Sequence, residues 1–159
     1  MKELNDKDVT RQILLVCKRN QLKKYTINLD KSVDVDGDVD LAARDLDKIP
    51  LVFGKVTGNF NCSYNILTTL EGLPHTLHGT IYCHSNELIS TYSGDVDIDL
   101  RGNFKCSNNK KMPLLLMRNL THIKLILKYQ RYFSIWNDDL SFNEDNFQIL
   151  LDEINDGLE

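Results

Sequence analysis

The ten residues Gly58-Asn59-Phe60-Asn61-Cys62-Ser63-Tyr64-Asn65-Ile66-Leu67 decide the fold, because the chain repeats their pattern. GDVDLAARDLDKI from Gly37, GNFNCSYNILTTL from Gly58, GTIYCHSNELIST from Gly79 and GNFKCSNNKKMPL from Gly102 align without gaps, at spacings of 21, 21 and 23 residues. Each unit reads Gly, any, apolar, any, Cys or Leu, two variable residues, then Asn. Val39, Phe60, Ile81 and Phe104 fill the first apolar slot, and Leu41, Cys62, Cys83 and Cys106 the second. Asn65, Asn86 and Asn109 fill the polar slot, where the first unit has Arg44; Leu46, Leu67 and Leu88 follow, where the last unit has Lys111. A fixed period of this length is the signature of a stack of coils, none of which can bury its apolar side alone.

The period and the order apolar, Cys, Asn, Leu fit the strand of a leucine-rich repeat. Successive coils are expected to pair their strands in parallel. The Asn amide carries both a donor and an acceptor, so it suits the turn out of each strand, where backbone groups of neighbouring coils would otherwise be buried unpaired. The repeated Gly falls in phase with the inward residues, which points to close approach of backbone or a neighbouring side chain.

Reading each strand as continuous, alternation sends Val56, Gly58, Phe60 and Cys62 inward, with their equivalents in the other coils. The outward rows are then Asp36, Thr57, His78 and Arg101; Asp38, Asn59, Thr80 and Asn103; and Asp40, Asn61, Tyr82 and Lys105. Such a face grades from acidic to basic along the stack. The expected binding surface is centred on Tyr82, an amphipathic anchor, with His78, His84, Asn61, Arg101, Asn103 and Lys105 around it. Asp34, Asp36, Asp38 and Asp40 form its acidic end.

The flanks change period. Val9, Ile13, Val16 and Cys17 share one helical face within residues 6–22, with Asp6 or Asp8 placed to cap it, and Tyr25–Ile27 and Val33–Leu41 alternate as strands around Leu29–Ser32. Leu116, Leu120, Ile123 and Leu127 make one helical stripe near the other end, and Phe147, Leu150, Leu151 and Ile154 make another. The expected fold is an α+β repeat: a short leucine-rich-repeat-like, parallel-stranded solenoid. An N-terminal helix and hairpin cap (residues 1–32) precedes about four coils of 21–23 residues (33–112), and a C-terminal helical cap (113–159) follows.

The runs VDVDGDVDL, FGKVTGNFNCSYNILTTLEGLP and HGTIYCHSNEL resemble the leucine-rich-repeat-like proteins of large tailed bacteriophages, over about residues 25–112. After Asn109 the chain departs from that pattern. The resemblance implies a small accessory protein of the host cytoplasm, and its motifs are specific for fold and probable source but not for activity.

Of the 159 residues, 42% are hydrophobic and 26% charged, the profile of one ordinary folded domain rather than a disordered tail. The greasiest stretch, Met112–Leu127, is interrupted by Arg118, His122 and Lys124, so no membrane span is expected. MKELNDKDVTRQ lacks the apolar run of a secretory signal, which points to a cytoplasmic location. The net charge of −4 is a remainder of opposed blocks. Residues 101–131 hold eight basic side chains and no carboxylate, and 138–159 hold eight acids and no Lys or Arg.

Chemistry is sparse. Cys62, Cys83 and Cys106 occupy one inward slot, and no C-x-x-C pair suggests zinc. Alternation sends Cys83 and His84 to opposite faces, so they do not form a nucleophile and base. His75, His78 and His84 lie too far apart along one strand to share a metal. Asp34–Asp40 lacks the sixth-position Gly and twelfth-position Glu of a calcium loop. The expectation is a non-enzymatic protein-binding module without cofactor, metal or catalytic residues, with monomer and homodimer both open. Its partner would be a host bacterial protein, inhibited or redirected, a defence factor being one candidate. The alternative is nucleic-acid binding through Arg101, Lys105, Lys110, Lys111, Lys124 and Lys128. A third class is an enzyme around Lys128, Tyr129, Tyr132 and Trp136.

Overall fold

The computed structural model describes residues 5–159; residues 1–4, the start of the expected N-terminal cap, lie outside the described residues. Helix α1 (Asp6–Arg19) is capped by Asn5, whose side chain accepts from the Asp8 amide at 3.0 Å. Asp6 and Asp8, expected as caps, instead occupy the first turn, where their charge complements the helix dipole. Strands β1 (Tyr25–Ile27) and β2 (Val33–Val35) then pair antiparallel around the Leu29–Ser32 turn. Hydrogen bonds from the Ser32 hydroxyl and amide hold the Asp30 carboxyl below its usual range in that turn.

Each repeat contributes two short strands rather than one. They are β2 and β3 (Val39–Asp40), β4 (Phe53–Val56) and β5 (Phe60–Asn61), β6 (Thr76–Leu77) and β7 (Ile81–Tyr82), and β8 (Asp99–Leu100) and β9 (Phe104–Lys105). The first sheet has the order β1-β2-β4-β6-β8 and the second β3-β5-β7-β9. Within the second, Val39, Phe60, Ile81 and Phe104 stack in parallel register. The chain is therefore a parallel-strand β-solenoid of about three turns, with helices at both ends.

The division into two sheets corrects the continuous strand expected from alternation. The break falls at the repeated glycine. Gly58 donates its amide to the Gly37 carbonyl at 2.9 Å, and Gly79 to the Gly58 carbonyl at 3.0 Å. A Cβ on Gly79 would lie 2.6 Å from the Gly58 carbonyl carbon, and one on Gly58 2.6 Å from the Gly37 carbonyl carbon. Glycine is thus needed for close approach of coils at a bend. Polar side chains bind the same bend together: Asp38 Oδ1 accepts from the Asn59 amide at 2.7 Å, and Asn59 Oδ1 from the Thr80 amide at 2.9 Å.

At the far end of the second sheet the asparagines form the expected ladder. Asn86 is 6% exposed; its Oδ1 accepts from Leu67 N at 3.0 Å, and its Nδ2 donates to the Cys62 and Cys83 carbonyls at 3.0 and 3.1 Å. Asn65 and Asn109 repeat the arrangement one coil to either side. Each amide joins three segments of backbone from two coils. The residue before each Asn, namely Tyr64, Ser85 and Asn108, is left-handed, as is Ala43 in the first coil.

Leu67, Leu70 and Leu73 are buried in one core with Phe53 and Phe60, whose rings meet edge-to-face at 5.1 Å. Cys62, Cys83 and Cys106 are buried free thiols in one column. Burial pushes the Cys62 thiol up to about 12 and the Cys106 thiol up to about 11, and raises Cys83 as well. Above the ordinary value of 9.0 the unfolded chain releases these protons while the native chain holds them. The stability they contribute is full below that pH and is lost as pH rises through the native values. Urea midpoints should therefore fall steadily above pH 9. A thiol reagent at pH 8 should leave these three cysteines unmodified for as long as the chain stays folded; prompt modification of Cys83 in native protein would contradict this.

The C-terminal stripe is not one helix. Short α2 (Leu114–Met117) leads through a 3₁₀ turn (Leu120–His122) into α3 (Ile123–Tyr129). Asn119 interrupts the run by donating its side-chain amide back to the Leu115 carbonyl at 2.7 Å. The last helix, α4 (Glu144–Asn155), buries Phe147, Leu150, Leu151 and Ile154 as expected. Buried Gln130 fastens this region to the stack: its amide donates to the Thr91 carbonyl at 2.9 Å and the Ser93 hydroxyl at 3.0 Å, and its oxygen accepts from Thr91 Oγ1 and Trp136 Nε1.

Candidate binding face

Two strands per coil split the expected surface. The row Asp36, Thr57, His78, Arg101 lies at the ends of the first-sheet strands, at the glycine bend, whereas Asp40, Asn61, Tyr82 and Lys105 face outward from the second sheet. His78 is partly buried there, with Nε2 enclosed and unpartnered among the described residues. Arg101 is exposed beside Asp99, at 3.9 Å, and its carbonyl accepts from Lys124 Nζ at 3.0 Å. Asn103 ends the bend row, its amide donating to Thr80 Oγ1. His78 and Arg101 thus sit at the bend, whereas Asn103 lines a groove together with Lys105.

Most of the acidic run is occupied in holding the stack. Asp34 Oδ1 accepts from the Lys55 amide at 2.8 Å and Asn28 Nδ2 at 2.9 Å; Asp36 accepts from Thr57 Oγ1 at 3.0 Å. Asp38 caps the Asn59 amide, as described, and Asp40 accepts from the Ala42 amide at 3.0 Å. Among the described residues no group of three or more His, Cys, Asp or Glu side chains is arranged to hold a metal ion.

What gathers on the second sheet is aromatic. Tyr82 is partly buried, with Lys105 Nζ 5.7 Å from its ring centroid. Tyr64 is 62% exposed and meets the His84 ring edge-to-face, centroids 5.0 Å apart. Asn61 makes a local turn, accepting from the Ser63 amide and hydroxyl. Tyr64 escapes a reading by alternation, which would send it inward two residues after Cys62. Its left-handed backbone, with φ of 57°, turns it out instead. The chemical means of this surface are flat aromatic area, one cation and polar rims, a set suited to recognition.

The residues considered for catalysis do not converge. The Tyr129 hydroxyl donates to the Glu159 carbonyl, with Lys128 Nζ 5.3 Å from the Tyr129 ring centroid, while Tyr132 is 81% exposed. Trp136 turns to Gln130 and lines a separate cleft with Tyr92, Asp95 and Arg131. The basic stretch is also partly compensated: Lys111 lies 3.8 Å from Glu87 and Arg131 3.5 Å from Asp97.

Fold and surface together define a β-solenoid that displays an aromatic and cationic face on a hydrogen-bonded ladder. No protein-family model, curated protein or solved structure matches the chain. Among the described residues, no helix is long and apolar enough to cross a membrane.

Proposed function

We propose that this chain is a non-enzymatic protein-binding module whose partner docks on the outer face of the second sheet. Tyr64, Tyr82 and His84 act as anchors and Lys105 as the charged contact. The observation that carries this reading is the placement of exposed Tyr64 on the Asn65 ladder. A large aromatic side chain is held in a left-handed turn, next to His84, by a backbone that has few other conformations to adopt. Anchors already ordered before binding lose little entropy on association. The resemblance to bacteriophage proteins extends the proposal to a host bacterial protein, inhibited or redirected in the host cytoplasm, with a defence factor as one candidate. Nucleic-acid binding has less support, since Arg101, Lys111 and Arg131 each have a carboxylate within 4 Å.

The test is recovery of partners from bacterial lysate by the wild type and by a Tyr64→Ser/Tyr82→Ser variant with unchanged circular dichroism. Two anchors at about 1–2 kcal/mol each predict a loss of more than tenfold in recovery of the specific partner. Equal recovery of every partner by both proteins would remove the assignment to this face.

A further inference from the structure

The two sheets end differently. The first begins with the antiparallel β1–β2 hairpin and is covered at β8 by α3, where Ile98 N donates to the Leu127 carbonyl. The second sheet stops at β9, with no further strand among the described residues. In the coils below, the amides of Phe60 and Cys62 donate to the Thr80 and Tyr82 carbonyls, and those of Ile81 and Cys83 to the Asn103 and Lys105 carbonyls, at 2.8–2.9 Å. The equivalent amides of Phe104 and Cys106 point to where the next coil would lie, and no acceptor meets them among the described residues. The side-chain column shows the same missing layer. Val39, Phe60 and Ile81 are at most 1% exposed, while Phe104 is only partly buried.

A groove of about 540 Å³ runs beside this edge, between β9 and the segment from the 3₁₀ turn into α3. Phe104, Leu120 and Leu125 supply apolar lining, Lys105 and Lys124 supply charge, and among the described residues no carboxylate lines it.

We propose that the β9 edge accepts an extended peptide segment of a partner protein as a fifth parallel strand of the second sheet, and that this segment alternates apolar and acidic side chains. The register of the stack fixes the alternation. A residue opposite Phe104 continues the Val39-Phe60-Ile81 column inward and must be apolar, and its neighbour opposite Lys105 faces out beside a cation and is best acidic. A second copy is a poor fit. Helix α3, about 10 Å across, already stands on β8, whereas flush stacking of another solenoid end leaves one strand spacing of about 4.8 Å. The proposal rests on the reading of the chain as a protein-binding module; it shares Lys105 with the partner face but not Tyr64.

The test uses a labelled, end-capped hexapeptide of alternating Val and Glu, its Val/Lys counterpart, and a Val/Glu version N-methylated on the edge-facing amides. Fluorescence anisotropy on the full chain should show saturable binding of the first peptide. The second and third should bind at least about tenfold more weakly, as should the first to a Lys105→Glu/Lys124→Glu variant. Hydrogen exchange should slow at the Phe104 and Cys106 amides on binding. Tyr64→Ser alone, which leaves the Lys105–Tyr82 contact in place, should bind the peptide as the wild type does, so failure here is distinguishable from failure of the partner face. No saturable binding of the Val/Glu peptide up to millimolar concentration would overturn the proposal. So would equal binding of the N-methylated peptide, unchanged exchange at both amides, or a dimer that protects the same two amides.

Discussion

Replacing Asn86 by Ala should cost about 3 kcal/mol or more, read as a fall in the urea midpoint at unchanged slope. The substitution leaves Leu67 N without its acceptor and the Cys62 and Cys83 carbonyls without their common donor, in a site 6% exposed. The buried Leu67 amide is left unpaired, at about 1–3 kcal/mol, while the Cys62 and Cys83 carbonyls keep the Asn65 and Asn109 side chains and each lose one of two donors, at about 1 kcal/mol apiece. The groups belong to adjacent coils, so the damage spreads along the stack, where stability is largely a sum of neighbour interfaces. Asn86→Asp should be at least as harmful, since it sets a carboxylate against carbonyls that need a donor. A loss under about 1 kcal/mol for Asn86→Ala would mean that water or a shifted backbone replaces the ladder.

The second large effect is expected at Gly79. Gly79→Ala places a methyl against the Gly58 backbone, 2.6 Å from its carbonyl carbon, and against the Asn59 side chain, where no rotamer change relieves the clash. Two coils must separate at the bend, which puts the cost at about 3 kcal/mol, the upper end for overpacking. Gly37→Ala makes the informative comparison. Among the described residues nothing lies within 4 Å of a Cβ there, but φ is +135°, so only backbone strain is introduced. Strain of that kind costs about 1–3 kcal/mol, at or below the clash at Gly79. Thermal melts of both variants should rank Gly79→Ala as the more damaging; the reverse order would show that conformation, and not close approach, selects glycine at the bend.

The contrast between these positions explains what could be read from the chain. In a stack of coils, equal positions touch. A repeated Asn or Cys therefore reports a ladder or a buried column directly, and Asn65, Asn86, Cys62 and Cys83 were legible for that reason. The bend was not. Val56, Gly58, Phe60 and Cys62 alternate as well in one strand as in two strands meeting at a corner, and the contact that separates the cases lies a coil away in Gly37. Alternation therefore put His78 and Arg101 in an outward row of the same continuous face as Tyr82, whereas they sit at the bend after the first-sheet strands. Tyr64 was hidden because its left-handed turn is marked in the sequence only by Asn108, the one member of its column with a known tolerance for that conformation. The helical stripe from Leu116 to Leu127 concealed its own break, since Asn119 acts through a side-chain bond that periodicity does not register.

Binding through the second sheet is most directly tested by hydrogen exchange on a complex captured from lysate, measured against the free chain. Contact with the proposed face predicts slowed exchange in residues 61–64 and 82–85 and around Lys105, with the α4 segment 144–155 unchanged. Protection confined to α4 or to the first sheet, with residues 61–64 and 82–85 exchanging as in the free chain, would contradict it.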